Sequence, residues 1–236
     1  MEKSKVLGIL GGLGPMATAY FYELVIAHTV AARDQDHIDM VISSKATTPD
    51  RTAYILGESA DDPFDVMERE AHRLVTFGAE VIAIPCNTAH YFYTRLDAAI
   101  PVPVLNMVRL TAEKAVAKGC TRVGVLATDG TVETDTYQLA CRAAGLECVV
   151  PDKAAQALVM QVIYDDIKSG MPPNMAAFHI AANQLFGAGC QCLILGCTEL
   201  SLVKKQGLLD ERYIDSIEVL AEAAIVACGK TVQGLY

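Results

Sequence analysis

Apolar residues along the chain follow two patterns, short continuous runs and longer segments with helical spacing. The runs are VLGIL, VIAIP, RVGVL and CLIL, which begin at Val6, Val81, Arg122 and Cys192. Continuous runs of this length are typical of strands in parallel sheets that are covered on both faces. Helical spacing is clearest near the end of the chain, where the apolar positions are Ile217, Leu220, Ala221, Ala224, Ile225 and Cys228. Strands that alternate with helices predict an α/β fold.

The pattern also repeats. VLGILGGLGP resembles RVGVLATDGT, FGAEVIAIPCNT resembles FGAGCQCLILGCT, and VLNMVRLTAEKAVAKG resembles IDSIEVLAEAAIVACG, in the same order. Each half is therefore expected to run strand, helix, strand, loop, helix, strand, helix, strand, helix. We predict two similar doubly wound parallel-sheet domains related by pseudo-twofold symmetry, with the active site in the cleft between them.

Composition narrows the range of partners. The chain of 236 residues has a net charge of -9 at pH 7, and 52% of its residues are hydrophobic, which is ample for a packed core. Lys and Arg do not cluster as a phosphate backbone requires, so we expect no nucleic-acid partner. The sequence has neither an apolar run of about eighteen residues nor an export signal, so we expect no membrane association and a cytoplasmic location.

Two of the eight cysteines occupy equivalent places in the two halves. Cys86 and Cys197 each end an apolar run and precede a predicted helix N-terminus. Ligands of open α/β sheets bind outside the carboxyl ends of the strands. A helix N-terminus there is expected to lower the pKa of each thiol from its ordinary value of about 8.5 toward neutrality. Thr88 and Thr198 are expected to cap those helices or to donate to a ligand.

Paired thiols suit a reaction in which one group removes a proton from a carbon and another supplies a proton to its opposite face. Racemisation has that requirement. A hydrolase with one nucleophilic cysteine is the alternative, and His90 would be its base, although a helix-surface or supporting position suits His90 better.

The other six cysteines are interpreted as small buried hydrophobic residues with free thiols, as expected in a reducing compartment. They are Cys120, Cys141, Cys148, Cys190, Cys192 and Cys228. A zinc site built from Cys190, Cys192 and Cys197 is a weak alternative, because the spacing lacks a second pair or a nearby histidine, and we predict no metal.

Five segments, GILGGLGPMAT, PDRTAYILG, PCNTAH, YDDIKSG and GCTEL, resemble the aspartate racemases of the cofactor-independent aspartate/glutamate racemase superfamily over essentially the whole chain. The resemblance implies a homodimeric enzyme that interconverts L- and D-aspartate, a small acidic amino acid, without a cofactor. It also implies that the segment after about Asp210 packs on the first domain and the helix after Val104 on the second. The expected domains are therefore residues 1–105 with 210–236, and residues 106–209.

The resemblance assigns Cys86 and Cys197 as proton donor and acceptor. It implies that substrate is bound by Arg51 and Lys168, with help from the polar neighbours of the two thiols, Asn87, Thr88 and Thr198. Glu199 is expected to support the second thiol. An Arg and a Lys together can hold the two carboxylates of aspartate. On the residues alone, Arg51 also fits a surface loop, and Lys168 fits a helix end before Gly170.

The turn GILGGLGPMATAY fits G-x-G-x-x-A at Gly12, Gly14 and Ala17, the spacing of a dinucleotide-binding turn. That function needs an acidic residue at the end of the second strand, and MVISSK ends in serines and a lysine. We therefore expect the amides of Gly11 and Gly12 to face a substrate carboxylate or the charge that develops beside the first thiol, unless the glycines only form a tight turn. The matching segment ATDGT, with Thr128, is expected to line the other wall.

Three other functions stay open. A glutamate or broad-specificity acidic amino-acid racemase differs by about one methylene in its substrate, a change worth only roughly 1–3 kcal/mol in discrimination. A maleate isomerase or decarboxylase of the same fold would use one cysteine as nucleophile or donor. A nucleotide-binding or ligand-sensing module is the alternative that is not an enzyme.

Overall fold

The computed structural model describes residues 4–234, which form two α/β units. One unit contains the residues up to 107 together with those from 217 onward, and the other contains residues 108–216. None of the helices in the described part of the chain has the length and apolarity needed to cross a membrane.

The first unit is built on a three-stranded parallel sheet with the order β2-β1-β3. Its elements are β1 (Leu7–Gly11), α1 (Pro15–His28), a 3-10 turn (Asp34–Asp36), β2 (Met40–Ser44), α2 (Arg51–Ile55), α3 (Phe64–Thr76), β3 (Val81–Ala83), a 3-10 helix (Thr88–Phe92) and α4 (Tyr93–Ala99). All five residues of β1 are buried, as expected for a central strand that is covered on both faces.

The second unit is built on a four-stranded parallel sheet with the order β5-β4-β6-β7. Its elements, preceded by α5 (Met107–Ala117), are β4 (Arg122–Ala127), α6 (Asp129–Glu133), α7 (Thr136–Ala143), β5 (Glu147–Val149), α8 (Lys153–Gln161), a π-helical turn (Val162–Ile167), α9 (Met175–Gly187), β6 (Cys192–Gly196), α10 (Thr198–Lys205) and β7 (Tyr213–Asp215). The chain then enters α11 (Ser216–Ala227). The predicted α/β class with two parallel sheets is confirmed.

The two sheets have the same topology. In each, the first strand of the unit is central, the second pairs on one side and the third on the other. The fourth strand pairs with the third in the second unit, but in the first unit it is reduced to a single parallel bridge between Ile82 and Val104. The internal repeat seen in the sequence therefore corresponds to a repeated order of strands.

Two helices begin at the unit boundaries. Helix α5 starts at Met107, the last residue of the first unit, and continues into the second, while α11 starts at Ser216 and continues into the first. From the sequence, the chain was expected to return to the first domain near residue 210. In the structure the chain returns to the first unit after Ser216. The reason is β7, which pairs with β6 and so stays with the second sheet. Every apolar position predicted for the stripe of α11 is buried.

Candidate active site

Cys197 lies immediately beyond the carboxyl end of β6 and is the N-cap residue of α10. Its side chain is buried, and its thiol donates a hydrogen bond of 2.8 Å to Oε2 of Glu199, which is also buried. Glu199 is in the first turn of α10, where the positive end of the helix dipole favours a carboxylate. The supporting position predicted for Glu199 is thus a direct contact with the thiol.

The expected lowering of the thiol pKa is wrong for Cys197. Burial and, after it, the Glu199 carboxylate raise the pKa of the Cys197 thiol well above its ordinary value, and the ammonium of Lys168 offsets part of that rise. Burial disfavours the charged form, and a neighbouring carboxylate disfavours a second negative charge. These two effects outweigh the helix N-terminus, so Cys197 rests as a protonated thiol.

Lys168 follows the π-helical turn Val162–Ile167, and its Nζ lies 3.8 Å from the centroid of the Tyr164 ring. Single π-helical turns inside helices are frequent at functional sites. The side chain is exposed, and its charge acts on the Cys197 thiol. The second unit therefore brings together three of the predicted site residues: Cys197, Glu199 and Lys168.

Cys86 is buried and lies three residues beyond the last residue of β3, not at the strand end itself. The segment that follows begins as a 3-10 helix at Thr88 and becomes α-helical only at Tyr93. His90 is buried in that 3-10 helix, with its Nδ1 2.8 Å from the carbonyl oxygen of Cys86. Its Nε2 accepts a hydrogen bond of 3.0 Å from the amide of Met107.

Those two bonds fix the role of His90. Because Nε2 accepts from an amide, the ring proton is on Nδ1, which donates to the Cys86 carbonyl. Burial lowers the pKa of His90, so the ring is neutral. Both nitrogens are engaged by backbone groups, and the imidazole supports the peptide of Cys86. This arrangement does not support Cys86 as a nucleophile with His90 as its base.

Arg51 is the first residue of α2, and its guanidinium is buried. Its donors reach three carbonyl oxygens: those of Leu13 at 2.7 Å, Pro49 at 3.0 Å and Thr48 at 3.4 Å. No carboxylate pairs with it among residues 4–234, and its Nε is buried without a hydrogen-bond partner there. Buried charges are ordinarily paired, so an unpaired buried guanidinium is a candidate anion site.

The segment of Arg51 also lies against the one that carries the first thiol. Tyr54 of α2 packs on Phe92 of the 3-10 helix, with ring centroids 5.9 Å apart. Leu13, whose carbonyl binds Arg51, belongs to the same apolar cluster as Cys86. The first unit therefore holds the predicted cation and the predicted thiol in one cluster of elements.

Gly11 and Gly12 are explained by packing. Gly12 has a positive φ of 84°, and a Cβ there would collide with the backbone of Lys45. A Cβ at Gly11 would overlap the side chain of Thr18. The amide of Gly12 donates to Thr18 Oγ1 at 2.9 Å, and that hydroxyl donates to the carbonyl of Gly14 at 2.9 Å. The turn therefore uses the Gly12 amide internally, which favours the tight-turn interpretation.

The remaining predicted polar residues, Asn87, Thr88, Thr128 and Thr198, are all buried. Asn87 and Cys197 hold the N-cap positions of the helices that follow, and neither forms a side-chain capping bond there. The capping role expected of Thr88 and Thr198 is therefore wrong, and their role as ligand donors stays a prediction. Thr128 is buried before α6, with its Oγ1 3.1 Å from Oγ1 of Thr131.

A buried polar contact on α10, the helix that has Cys197 as its N-cap residue, was not predicted from the sequence. Ser201 donates to Oδ1 of Asp215 at 2.6 Å, which ties α10 to the end of β7, and both residues are buried. Ser216 donates to the carbonyl of Leu195 at 2.8 Å and ties the start of α11 to β6. The segment YIDS, which forms β7 and the first residue of α11, carries no sequence signal that would identify Ser201 and Leu195 as its partners.

Within residues 4–234, no three or more His, Cys, Asp or Glu side chains are grouped so that they could hold a metal ion. The three cysteines considered for zinc therefore form no such group. Cys120 and Cys148 depart from the expected small buried hydrophobes, since both are only half-buried, and the sulfur of Cys120 meets that of Cys192.

Residues 10–224 match the family model described as Asp/Glu/Hydantoin racemase. The chain is 28% identical over 230 residues to the broad specificity amino-acid racemase RacX of Bacillus subtilis, covering 93% of this chain and 96% of that protein. It is 26% identical over 190 residues to the glutamate racemase of Aquifex aeolicus, covering 76% and 72% of the two chains.

The solved structures similar to this one include Picrophilus torridus aspartate racemase, with 29% identity, a TM-score of 0.81 and coverage of 97% of this chain and 96% of that one. The fold and the matches define an α/β amino-acid racemase. The chain belongs to the Asp/Glu/hydantoin racemase family.

Proposed function

We propose that the protein racemises aspartate without a cofactor, with Cys86 and Cys197 as the two acid/base groups. The observation that carries the proposal is the equivalent position of the two buried thiols: each follows the third strand of its unit in sheets of the same topology. A two-base racemase needs one group on each face of the reacting carbon, and the roles exchange when the other enantiomer binds.

The contacts of Cys197 indicate which acid/base role it has before substrate binds. Its thiol is protonated and bonded to Glu199, so it is the proton donor of the resting enzyme. Once Cys197 has given its proton to the substrate carbanion, its thiolate lies beside the Glu199 carboxylate and is a strong base. The positive charge of Lys168 partly stabilises that thiolate. The contact between Cys197 and Glu199 therefore favours the recovery of a proton by Cys197 before the next turnover.

Substrate binding is assigned to the two cations. The buried guanidinium of Arg51, without a carboxylate partner among the described residues, would donate two hydrogen bonds to one substrate carboxylate. Lys168 would hold the second as a point charge. Asn87, Thr88 and Thr198 are proposed as neutral donors to the substrate beside the thiols. The proposed enzyme is a cytoplasmic homodimer.

The experiment measures incorporation of deuterium at Cα from D2O, together with circular dichroism, for L- and D-aspartate with no cofactor added. Cys86→Ser and Cys197→Ser should each lower racemisation in both directions by at least about 100-fold, the usual contribution of one general acid or base. Cys228→Ser, a change at another buried thiol, is the matched control and should retain activity. Full racemisation by either site variant would exclude the two-base mechanism.

A broad-specificity racemase is the second candidate, favoured by the likeness to RacX over 93% of this chain. The same measurement on aspartate, glutamate and several neutral amino acids separates the two. A kcat/KM for aspartate at least about tenfold above the others supports the first candidate, and equal values support the second.

A further inference from the structure

Cys120 and Cys192 form a sulfur pair far from the proposed catalytic groups. Their Sγ atoms lie 2.7 Å apart. That separation lies between the roughly 2.05 Å of a covalent disulfide and the roughly 3.5–4 Å of ordinary contact between heavy atoms. The sulfurs would need to approach by only about 0.6 Å to bond.

The backbone holds the two cysteines in register. Cys192 is the first residue of β6 and pairs with Val123 of β4, three residues beyond Cys120. Between them, Gln191 Oε1 accepts from the amide of Thr121 at 2.6 Å and from the amide of Arg122 at 3.0 Å. The backbone N–H of Gln191 in turn donates to the carbonyl oxygen of Arg122 at 3.0 Å. The segments are therefore fixed to each other independently of the sulfurs.

The pair lies at the opposite end of β6 from Cys197. Cys192 begins the strand and Cys197 follows its last residue, which at about 3.3 Å per residue places them roughly 16 Å apart along the strand. Cys120 is half-buried and accessible to a small oxidant, whereas Cys192 is buried behind it. One accessible thiol with a resolving thiol at contact distance is the arrangement of a redox-sensitive pair.

We propose that Cys120 and Cys192 are a redox modification site that closes to an intramolecular disulfide when the protein meets a hydroperoxide. The Cys120 thiolate attacks the peroxide, whose O–O bond breaks to give a sulfenic acid and, after protonation, one water from hydrogen peroxide. The Cys192 sulfur then attacks the sulfenic sulfur, the S–S bond forms, and the hydroxyl leaves as a second water. Two thiols are oxidised by two electrons, and one peroxide is reduced.

The consequence is a covalent link between the turn before β4 and the start of β6, which encloses the chain from 120 to 192. A link across so long a loop restricts the unfolded chain. The oxidised protein should therefore melt about 5–10 °C higher than the reduced protein. Because the link is remote from Cys197, Cys120→Ser should leave racemisation unchanged.

The test treats the native protein with hydrogen peroxide, blocks the remaining thiols with N-ethylmaleimide and maps tryptic peptides without reduction. We expect a dithiothreitol-sensitive link between Cys120 and Cys192 that forms before Cys228, a buried control thiol, is oxidised. The tryptic peptide that carries Cys192 also carries Cys190 and Cys197, so the link is assigned by fragmentation.

In Cys192→Ser, Cys120 should stop at the sulfenic acid or proceed to the sulfinic acid, and the rise in melting temperature should vanish. Cys120 linked to a second copy of the chain, or oxidised while Cys192 stays reduced in the native protein, would overturn the proposal. So would a preferential link between Cys141 and Cys148, whose thiols also share a hydrogen bond. None of these outcomes depends on racemase activity, so the test is independent of the proposed function.

Discussion

The imidazole of His90 joins the carbonyl oxygen of Cys86 to the first amide of α5, with Nδ1 2.8 Å from Cys86 O and Nε2 3.0 Å from the Met107 amide nitrogen. Both bonds require a neutral ring with its proton on Nδ1. A buried histidine thus positions the peptide of one proposed catalytic thiol and does not exchange protons with it.

This arrangement predicts a pH dependence of stability. Burial lowers the pKa of His90 below its ordinary value, so the folded state binds its proton less readily than the unfolded state does. The contribution of His90 to stability is full above the unfolded pKa of about 6.5 and is lost as pH falls below it. The free energy of unfolding, measured with urea between pH 7.5 and 5, should decline by up to about 1.4 kcal/mol per pH unit from this group.

His90→Asn isolates that contribution, since it keeps an amide donor near Cys86 and cannot titrate. It should cost about 1–3 kcal/mol at pH 7.5, because the Met107 amide loses its acceptor, and it should flatten the slope below pH 6.5. His72→Asn, at an exposed position on α3 of the same unit, is the control and should change neither. An unchanged slope in His90→Asn would exclude His90 as its source.

The contact of Cys197 with Glu199 predicts an effect of charge on the thiol. Glu199→Gln keeps an oxygen acceptor and removes the negative charge, which is the second cause of the raised pKa after burial. The pH midpoint for alkylation of Cys197 by iodoacetamide, resolved by peptide mass spectrometry, should therefore fall, because a neighbouring negative charge no longer opposes the thiolate. The exposed change Glu211→Gln should leave the midpoint in place. A midpoint that moves equally in both variants would contradict the assignment.

The buried guanidinium of Arg51 predicts an anion-dependent stabilisation. L-aspartate or malonate should raise the melting temperature of the wild-type protein, because the bound carboxylate pairs a buried charge. Arg51→Lys keeps the charge but loses the planar fork, so it should weaken binding by at least about tenfold, or about 1.4 kcal/mol. Arg33→Lys, at an exposed arginine, is the matched control. Equal stabilisation of all three proteins would show that Arg51 does not bind the anion.

The turn after β1 predicts a contrast between two glycines with positive φ. Gly57→Ala, where a Cβ meets nothing within 4 Å, should cost only the backbone strain of about 1–2 kcal/mol. Gly12→Ala adds a collision with the Lys45 backbone and should cost at least about 2 kcal/mol more, measured by urea unfolding. Equal losses of unfolding free energy in the two variants would mean that the turn adjusts to the added Cβ. Packing against Lys45 would then not be the reason for a glycine at position 12.

Local patterns in the sequence were sufficient for the class of fold. Continuous apolar runs such as VLGIL became buried parallel strands because only strands covered on both faces require apolar residues at every position. The repeat of three segments placed Cys86 and Cys197 after equivalent strands, since similar hydrophobic patterns produce the same order of strands. The absence of an acidic residue after MVISSK argued against a dinucleotide site at the glycine turn, and the packing of Gly12 against Lys45 accounts for a glycine there.

The chemical state of each site residue was decided by the tertiary structure. Whether a thiol is ionised depends on burial and on charges from other elements, so the helix N-terminus visible in GCTEL could not indicate that Glu199 and burial keep Cys197 protonated. Likewise, the roles of His90 and Arg51 follow from carbonyl and amide groups distant in the chain, Met107 for one and Leu13 for the other. The sequence determined which residues stand beside the strands; the fold decided their partners, because hydrogen bonds and desolvation arise only when separate segments are packed together.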